Sequence, residues 1–288
     1  MRTSAIIRII TWSIVAIFLV VVLVNSINGD KIFGLNNIGF SGYSYDNSSE
    51  YLVADDIISV SDIRNIDIDW ISGKVKVEEY SGNTIEFYEE ESSSLDEDEK
   101  MRYLVEDGSL KIKFKKSKKF ISSFLNKNKT IIIKIPSSVS GGLNSFVLNT
   151  VSSNVEVNNL VANNVSIEVV SGDIDINNVK SELLYVETIS GSVNISGAID
   201  FIESEGVSGK ITMDLENCPK EIKSETISGS INIYIPENDG FTAKYESVSG
   251  KFTSDFNVTM TKNKAVYKNG KSNFDFESVS ARININKK

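Results

Sequence analysis

The phrase apolar-Ser-Gly-x-apolar-x-apolar recurs along this chain at a nearly fixed spacing, and few architectures can accommodate it. Copies run from Val170 to Ile176, Ile189 to Ile195, Val207 to Met213, Ile227 to Ile233, Val248 to Phe252 and Val279 to Ile285, with a degenerate copy from Val151 to Val157. Their serines stand at Ser152, Ser171, Ser190, Ser208, Ser228, Ser249 and Ser280, so the gaps are 19, 19, 18, 20, 21 and 31 residues. A unit of about 20 residues buries its apolar face only against its neighbours, which is the logic of a stacked solenoid. After each glycine, apolar and polar residues alternate, which is strand periodicity. The inward positions are Val155/Val157, Ile174/Ile176, Val193/Ile195, Ile211/Met213, Ile231/Ile233 and Ile283/Ile285. Stacked at about 4.8 Å per rung they make one continuous Ile/Val core. The expected fold is therefore all-β: a single elongated β-solenoid of parallel rungs, with each glycine at a corner that has little room for a side chain.

The N-terminus carries an address. Ile9 to Val24 is apolar apart from Thr11 and Ser13, with Arg2 and Arg8 before it. Residues 4–24 approach the roughly 20 needed to cross a bilayer. A single N-terminal transmembrane signal-anchor helix is expected, with the N-terminus cytoplasmic and the remainder extracytoplasmic. The competing reading is a cleaved signal peptide. Four segments follow from composition: 1–28, cytoplasmic stub and anchor; 29–58, a Gly/Asn/Ser/Asp-rich stalk; 59–147, early rungs with a charged insertion; and 148–288, the regular repeats. Asp107-Gly108 reads as a hairpin turn within the insertion, and a second hairpin is expected around Lys268 to Lys271. Phe120, Ile121, Phe124 and Leu125 fall on one helical face flanked by Lys115, Lys116, Lys118, Lys119, Lys127 and Lys129. That segment suits either a cap on the solenoid end or a helix touching anionic lipid. The polar Asn286-Lys287-Lys288 reads as the opposite, exposed end.

Composition narrows the chemistry. The chain has 288 residues, no His, one Cys (Cys218) and a net charge of −9. Histidine-based triads, imidazole metal sites and CxxC redox chemistry are thereby removed, and Cys218 reads as a packing residue. A negative balance argues against nucleic acid as partner. No nucleophile elbow, P-loop or dinucleotide loop is present, so no catalytic or cofactor-binding residue is assigned and no cofactor is expected.

One constellation repeats. Three residues before each Ser stands a carboxylate: Glu168, Glu187, Glu205, Glu225, Glu246 and Glu277, with Asp69 in an early copy and Asn149 as the exception. Stacking makes them an outward acidic ladder with neighbours about 5 Å apart. Such a ladder either caps backbone groups at the corners, with lysines such as Lys223 and Lys244 offsetting its charge, or binds divalent cations or a partner. Its regularity contrasts with the local, unequal carboxylate pair of a glycosidase.

The sequence "IDIDWISGKVKV", the later "TIIIKIP" and the tandem "EVVSGDIDI", "ETISGSINI" and "ESVSGKF" together resemble the bacterial "putative adhesin" family of β-strand repeat proteins. This is a domain of unknown function that includes LiaG-like membrane-anchored cell-envelope proteins, and the likeness covers roughly residues 60 to 288. It implies a membrane-anchored extracytoplasmic solenoid associated with envelope stress, and it supplies no catalytic residues; the function expected is a non-catalytic interaction, adhesin-like or scaffold module. Two alternatives remain: a polysaccharide-active β-helix enzyme, and a regulator of a membrane signalling partner acting through its transmembrane helix. The partners expected are the membrane through residues 4–24 and an envelope protein or glycan.

Overall fold

A computed structural model of the chain describes residues 38–39, 42–91, 95–117, 129–137, 139 and 142–288. The anchor expected over 4–24 and the amphipathic segment around Phe120 to Leu125 lie outside them. Among the described residues no helix is long and apolar enough to cross a membrane.

The long strands Asn65–Tyr80, Leu143–Asn158, Ala162–Ser171, Ile174–Ser190, Val193–Leu215 and Glu221–Ile235 stack in parallel. Most of them run on through a corner, at Ser-Gly or, in Ile174–Ser190, at Asn178, so their two halves pair separately. In Ile174–Ser190, for example, Ile174 to Ile176 pair with Val155 to Val157 and with Val193 to Ile195, whereas Leu183 to Ser190 pair with Phe201 to Ser208. All twelve inward positions are buried, and they merge with residues before the corner, such as Val165, Ile167, Leu184 and Val186, into one hydrophobic core. The corner glycines are required by contact between rungs. A Cβ on Gly191 (φ +139°) would stand 2.0 Å from the Gly172 carbonyl oxygen, and one on Gly209 (φ +138°) 2.0 Å from that of Gly191. A second corner is built on Asn159 and Asn178, whose φ angles of 56° and 53° suit asparagine, and whose side chains bond to each other at 2.7 Å.

Spatial order departs from chain order at both ends. Asn65–Tyr80 lies between Leu143–Asn158 on one side and Ser109–Lys113 with Lys129–Pro136 on the other. At the far end Ser272–Ser278 and Arg282–Lys287 slot between Glu221–Ile235 and the earlier Phe241–Ser247 and Lys251–Ser254. The C-terminal strand is thus an inner rung rather than the exposed end expected from its polar tail. Antiparallel strands close the stack. Arg102–Glu106 and Ile85–Glu91 cover the first end, themselves paired with Leu52–Val53 and Ile58–Val60. Lys264–Val266 and Thr259–Thr261 cover the other. The second hairpin therefore turns at Lys262 (φ 48°), and Lys268 to Lys271 is instead the turn into Ser272–Ser278. Asp107 (φ 48°) and Gly108 (φ 70°) form the tip of the first hairpin, as two-residue turns with positive φ do.

The segment read as stalk is folded over its described part. Tyr43, Tyr45 and Ala54 are buried, and Tyr43, Tyr45 and Tyr51 meet edge to face. The Tyr43 hydroxyl accepts from the Phe114 amide at 3.0 Å, and the Tyr45 hydroxyl donates to the Lys115 carbonyl at 3.1 Å. Polar composition concealed three tyrosines that supply both apolar area and a hydrogen-bonding tip. Lys129, read as a flank of the amphipathic segment, is likewise interior. It is 1% exposed, paired with Glu89 at 2.6 Å, and its ammonium lies 4.2 Å from the centre of the Phe114 ring and 5.0 Å from that of Trp70.

Candidate functional site

The register brings the sequence-selected carboxylates together on one outer face. Asn149 pairs with Glu168, Glu168 with Glu187, Glu187 with Glu205, Glu205 with Glu225, and Glu225 with Glu277, which pairs with Glu246. Glu277 and Glu246 thus exchange the places chain order would give them. On its other side Asn149 pairs with Asp69, and Asp69 with Lys113.

The two ends of this column differ in charge compensation. At the first end Asp69 and Lys113, 4% and 5% exposed, form an ion pair of 2.5 Å, and Asn149 donates to the other Asp69 oxygen at 3.2 Å. The "exception" in the pattern is therefore the hydrogen-bond partner of the carboxylate beside it. From Glu168 onward the side chains are half-buried or exposed. Glu187 accepts from the Tyr185 hydroxyl at 2.9 Å. Of the two roles weighed for the column, corner capping has no glutamate-to-backbone hydrogen bond behind it among the described residues. Lys223 pairs with Glu221 rather than with Glu225. The consequence is electrostatic. Partial burial, then the neighbouring carboxylates, hold the acids of Glu168, Glu205, Glu225 and Glu277 above the usual range; burial also raises Glu187, with the Tyr185 bond opposing it.

Two residues beyond each glutamate the side chain also points outward, and there it is apolar: Val170, Ile189, Val207, Ile227, Val279 and Val248, none of them buried. Val207 is 38% exposed. An aliphatic ridge thus runs beside the acidic column. On the other flank an open hollow of about 330 Å³ is lined by Leu183, Phe201, Glu203, Glu221 and Lys223. The outer face beyond the corner is different in kind. There Asn194 bonds Asp175 at 2.8 Å, Asn284 bonds Asn232 at 2.7 Å and Thr253 bonds Asn284 at 2.7 Å, so its ladders satisfy themselves. The ridge was legible in the repeat phrase, whose first apolar position breaks the in-out alternation.

For metal binding, hard cations need several oxygens converging on one point, whereas a ladder presents its carboxylates in a row. Among the described residues no group of three or more potential ligands is placed to hold a metal ion. Cys218 is half-buried against the core, 3.6 Å from the Ser272 hydroxyl, and burial pushes its thiol up, as befits a packing residue.

Residues 63–199 match the Toastrack DUF4097 family. The match spans just under half of the chain. Beyond residue 199 the same rungs continue to Lys287. No curated protein matches the sequence. Three solved structures are similar at 15% identity, each over 81% of this chain. They are a "putative cell adhesion protein" from Clostridium sporogenes (98% of that chain, TM-score 0.39), a "putative adhesin" from Bacteroides fragilis (97%, 0.45) and a "putative lipid binding protein" from Parabacteroides distasonis (95%, 0.37).

Proposed function

We propose that this chain is a non-catalytic interaction module of the bacterial cell envelope, held at the membrane by residues 4–24 with its solenoid outside. The observation that carries the reading is the unneutralised Glu168-to-Glu246 column with its Val/Ile ridge. Repulsion along the column opposes folding, so its regular recurrence is accounted for by a surface that a partner completes. The charge calls for a cationic partner, and the ridge calls for one that also offers apolar side chains. An extended segment of an envelope protein, with basic and aliphatic residues, meets both demands along a row spaced at the strand separation. Equal spacing also argues against a glycosidase, whose acid and base need unlike environments.

Site-specific photo-crosslinking in intact cells tests this. A probe at Val207 should give a defined protein adduct, lost in a Glu187→Gln/Glu225→Gln variant, while a probe at Lys210 on the other face should give none. Equal labelling from both positions, or none from either, overturns the assignment. For location, protease added to protoplasts should remove the solenoid, and its protection would refute an extracytoplasmic domain.

A further inference from the structure

The buried group at the first end of the column has a chemistry of its own. Lys113, Asp69 and Asn149 stand on three adjacent strands at paired positions, each no more than 6% exposed. The Lys113 Nζ lies 2.5 Å from Asp69 Oδ2, and Asn149 Nδ2 donates to Asp69 Oδ1 at 3.2 Å. Tyr43, itself fully buried, is anchored on the amide of Phe114, the residue after Lys113. An amine, a carboxyl carbon and a hydrogen-bond donor on the carbonyl oxygen are therefore assembled out of contact with water.

We infer that Lys113 and Asp69 condense to an intramolecular amide that staples the strand Ser109–Lys113 to the strand Asn65–Tyr80. In the ion pair the ammonium first passes one proton to Oδ2, giving the neutral amine and the carboxylic acid from which the condensation proceeds. The Nζ lone pair attacks Cγ, and charge develops on Oδ1, where the Asn149 Nδ2–H group stabilises it as an oxyanion-hole donor does. Nζ passes a second proton to Oδ2, the Cγ–Oδ2 bond breaks and one water departs. Of the three ammonium protons, one remains on the amide nitrogen and two leave as water, so no oxidant or activating co-reactant is needed. Holding amine and carboxyl in contact supplies the effective concentration that free amines and acids lack. The product is neutral, which removes the cost of keeping two charges buried. Exclusion of water also disfavours the reverse hydrolysis.

The test is the mass of the purified full-length chain. It should be lighter than the sequence mass by one water, and trypsin should release residues 65–74 joined to residues 112–115, with cleavage after Lys113 blocked. Lys113→Met should restore the full mass. Asn149→Ala, which keeps both reacting groups, should leave a fraction of the chain unlinked that shrinks on incubation. A folded wild-type chain of full sequence mass, yielding the two peptides separately, overturns the inference. So does loss of one ammonia with Lys113 joined to Asn149.

Discussion

Replacing Glu205 by Gln should stabilise this protein near neutral pH. Glu205 sits between Glu187 and Glu225 in register, half-exposed, with Glu203 two residues away. Two unit charges about 5 Å apart repel by about 1 kcal/mol in water and by about 3 kcal/mol at an effective dielectric constant of 20. The column is open to solvent, so the lower figure applies to each of the two neighbours, and salt reduces it further. A net gain of about 1 kcal/mol is expected, or a rise in Tm of about 2–4 °C for a domain of this size. Glutamine keeps the shape and the contacts, so the gain isolates the charge. The pH dependence gives an independent check. The Glu205 acid titrates above its ordinary 4.5 in the folded state. Its contribution to stability is thus fully present below the unfolded value and is lost as pH rises through the folded one. Thermal melts of wild type and variant should therefore diverge near pH 7 and converge as pH falls toward about 4.5. High salt, where the screening length shrinks to about 3 Å, should also close the gap. A variant that melts lower than wild type at neutral pH and low salt would show that the carboxylate is hydrogen-bonded, as a corner cap would be, and would refute this account.

Three further outcomes are expected. Gly191→Ala places a methyl group 2.0 Å from a backbone oxygen at φ +139°, whereas the nearest atom to a Cβ on Gly206 is 3.6 Å away; urea denaturation should show a loss of about 3 kcal/mol or failure to fold for the first, and a change within about 0.5 kcal/mol for the second. Glu89→Ala leaves the Lys129 ammonium buried without its carboxylate and should cost about 3–5 kcal/mol, while the double change Glu89→Leu/Lys129→Met should recover much of that in the same assay. With carboxylates in a row rather than around a point, the melt should be the same in EDTA and in millimolar Ca²⁺; a cation-dependent rise in Tm would reinstate the glutamates as ligands.

The repeat phrase made the rungs legible because it carries the two constraints a solenoid imposes most strictly. One is a period-two apolar column, and the other is a corner residue without a side chain. Ile174, Val193, Ile211 and Ile231 lie in one core for that reason. The glutamate column was legible on the same grounds, since equal offsets from the corner become equal positions in the stack. Its electrical character was not. Whether Glu205 is capped, paired or bare depends on which partners its neighbours choose, and on the next rung Lys223 turns to Glu221. Burial of Tyr43 and Lys129 is hidden in the sequence for a related reason. Each belongs to a segment polar on average but buried at one side chain, and composition averages away the single residue that packs.

Spatial order is the part that repetition itself conceals. A rung is recognised by its neighbours through backbone pairing and an Ile/Val column, and both are nearly the same in every copy. The rung Ser272–Lys287 can therefore pair with Glu221–Ile235 as readily as Phe241–Ser254 can, and the phrase holds no instruction to choose between them. The residues that break the repeat decide. Phe241, Phe256, Tyr267 and Phe274 pack into an aromatic cluster. Lys264–Val266 pairs antiparallel with Phe241–Ser247, so that strand acquires a partner on its outer side and becomes the terminal rung. At the first end, Arg102–Glu106 and Ile85–Glu91 act likewise on Ser109–Lys113 and Lys129–Pro136. A strand already covered on one edge by a hairpin has only one edge left for the stack, so the irregular insertions determine which rungs come last. Such closure also protects the open edges of a parallel stack from pairing with another chain. The faces of the solenoid are then what remains exposed, and the one that carries Glu168 to Glu246 presents carboxylates that form no ion pair among the described residues.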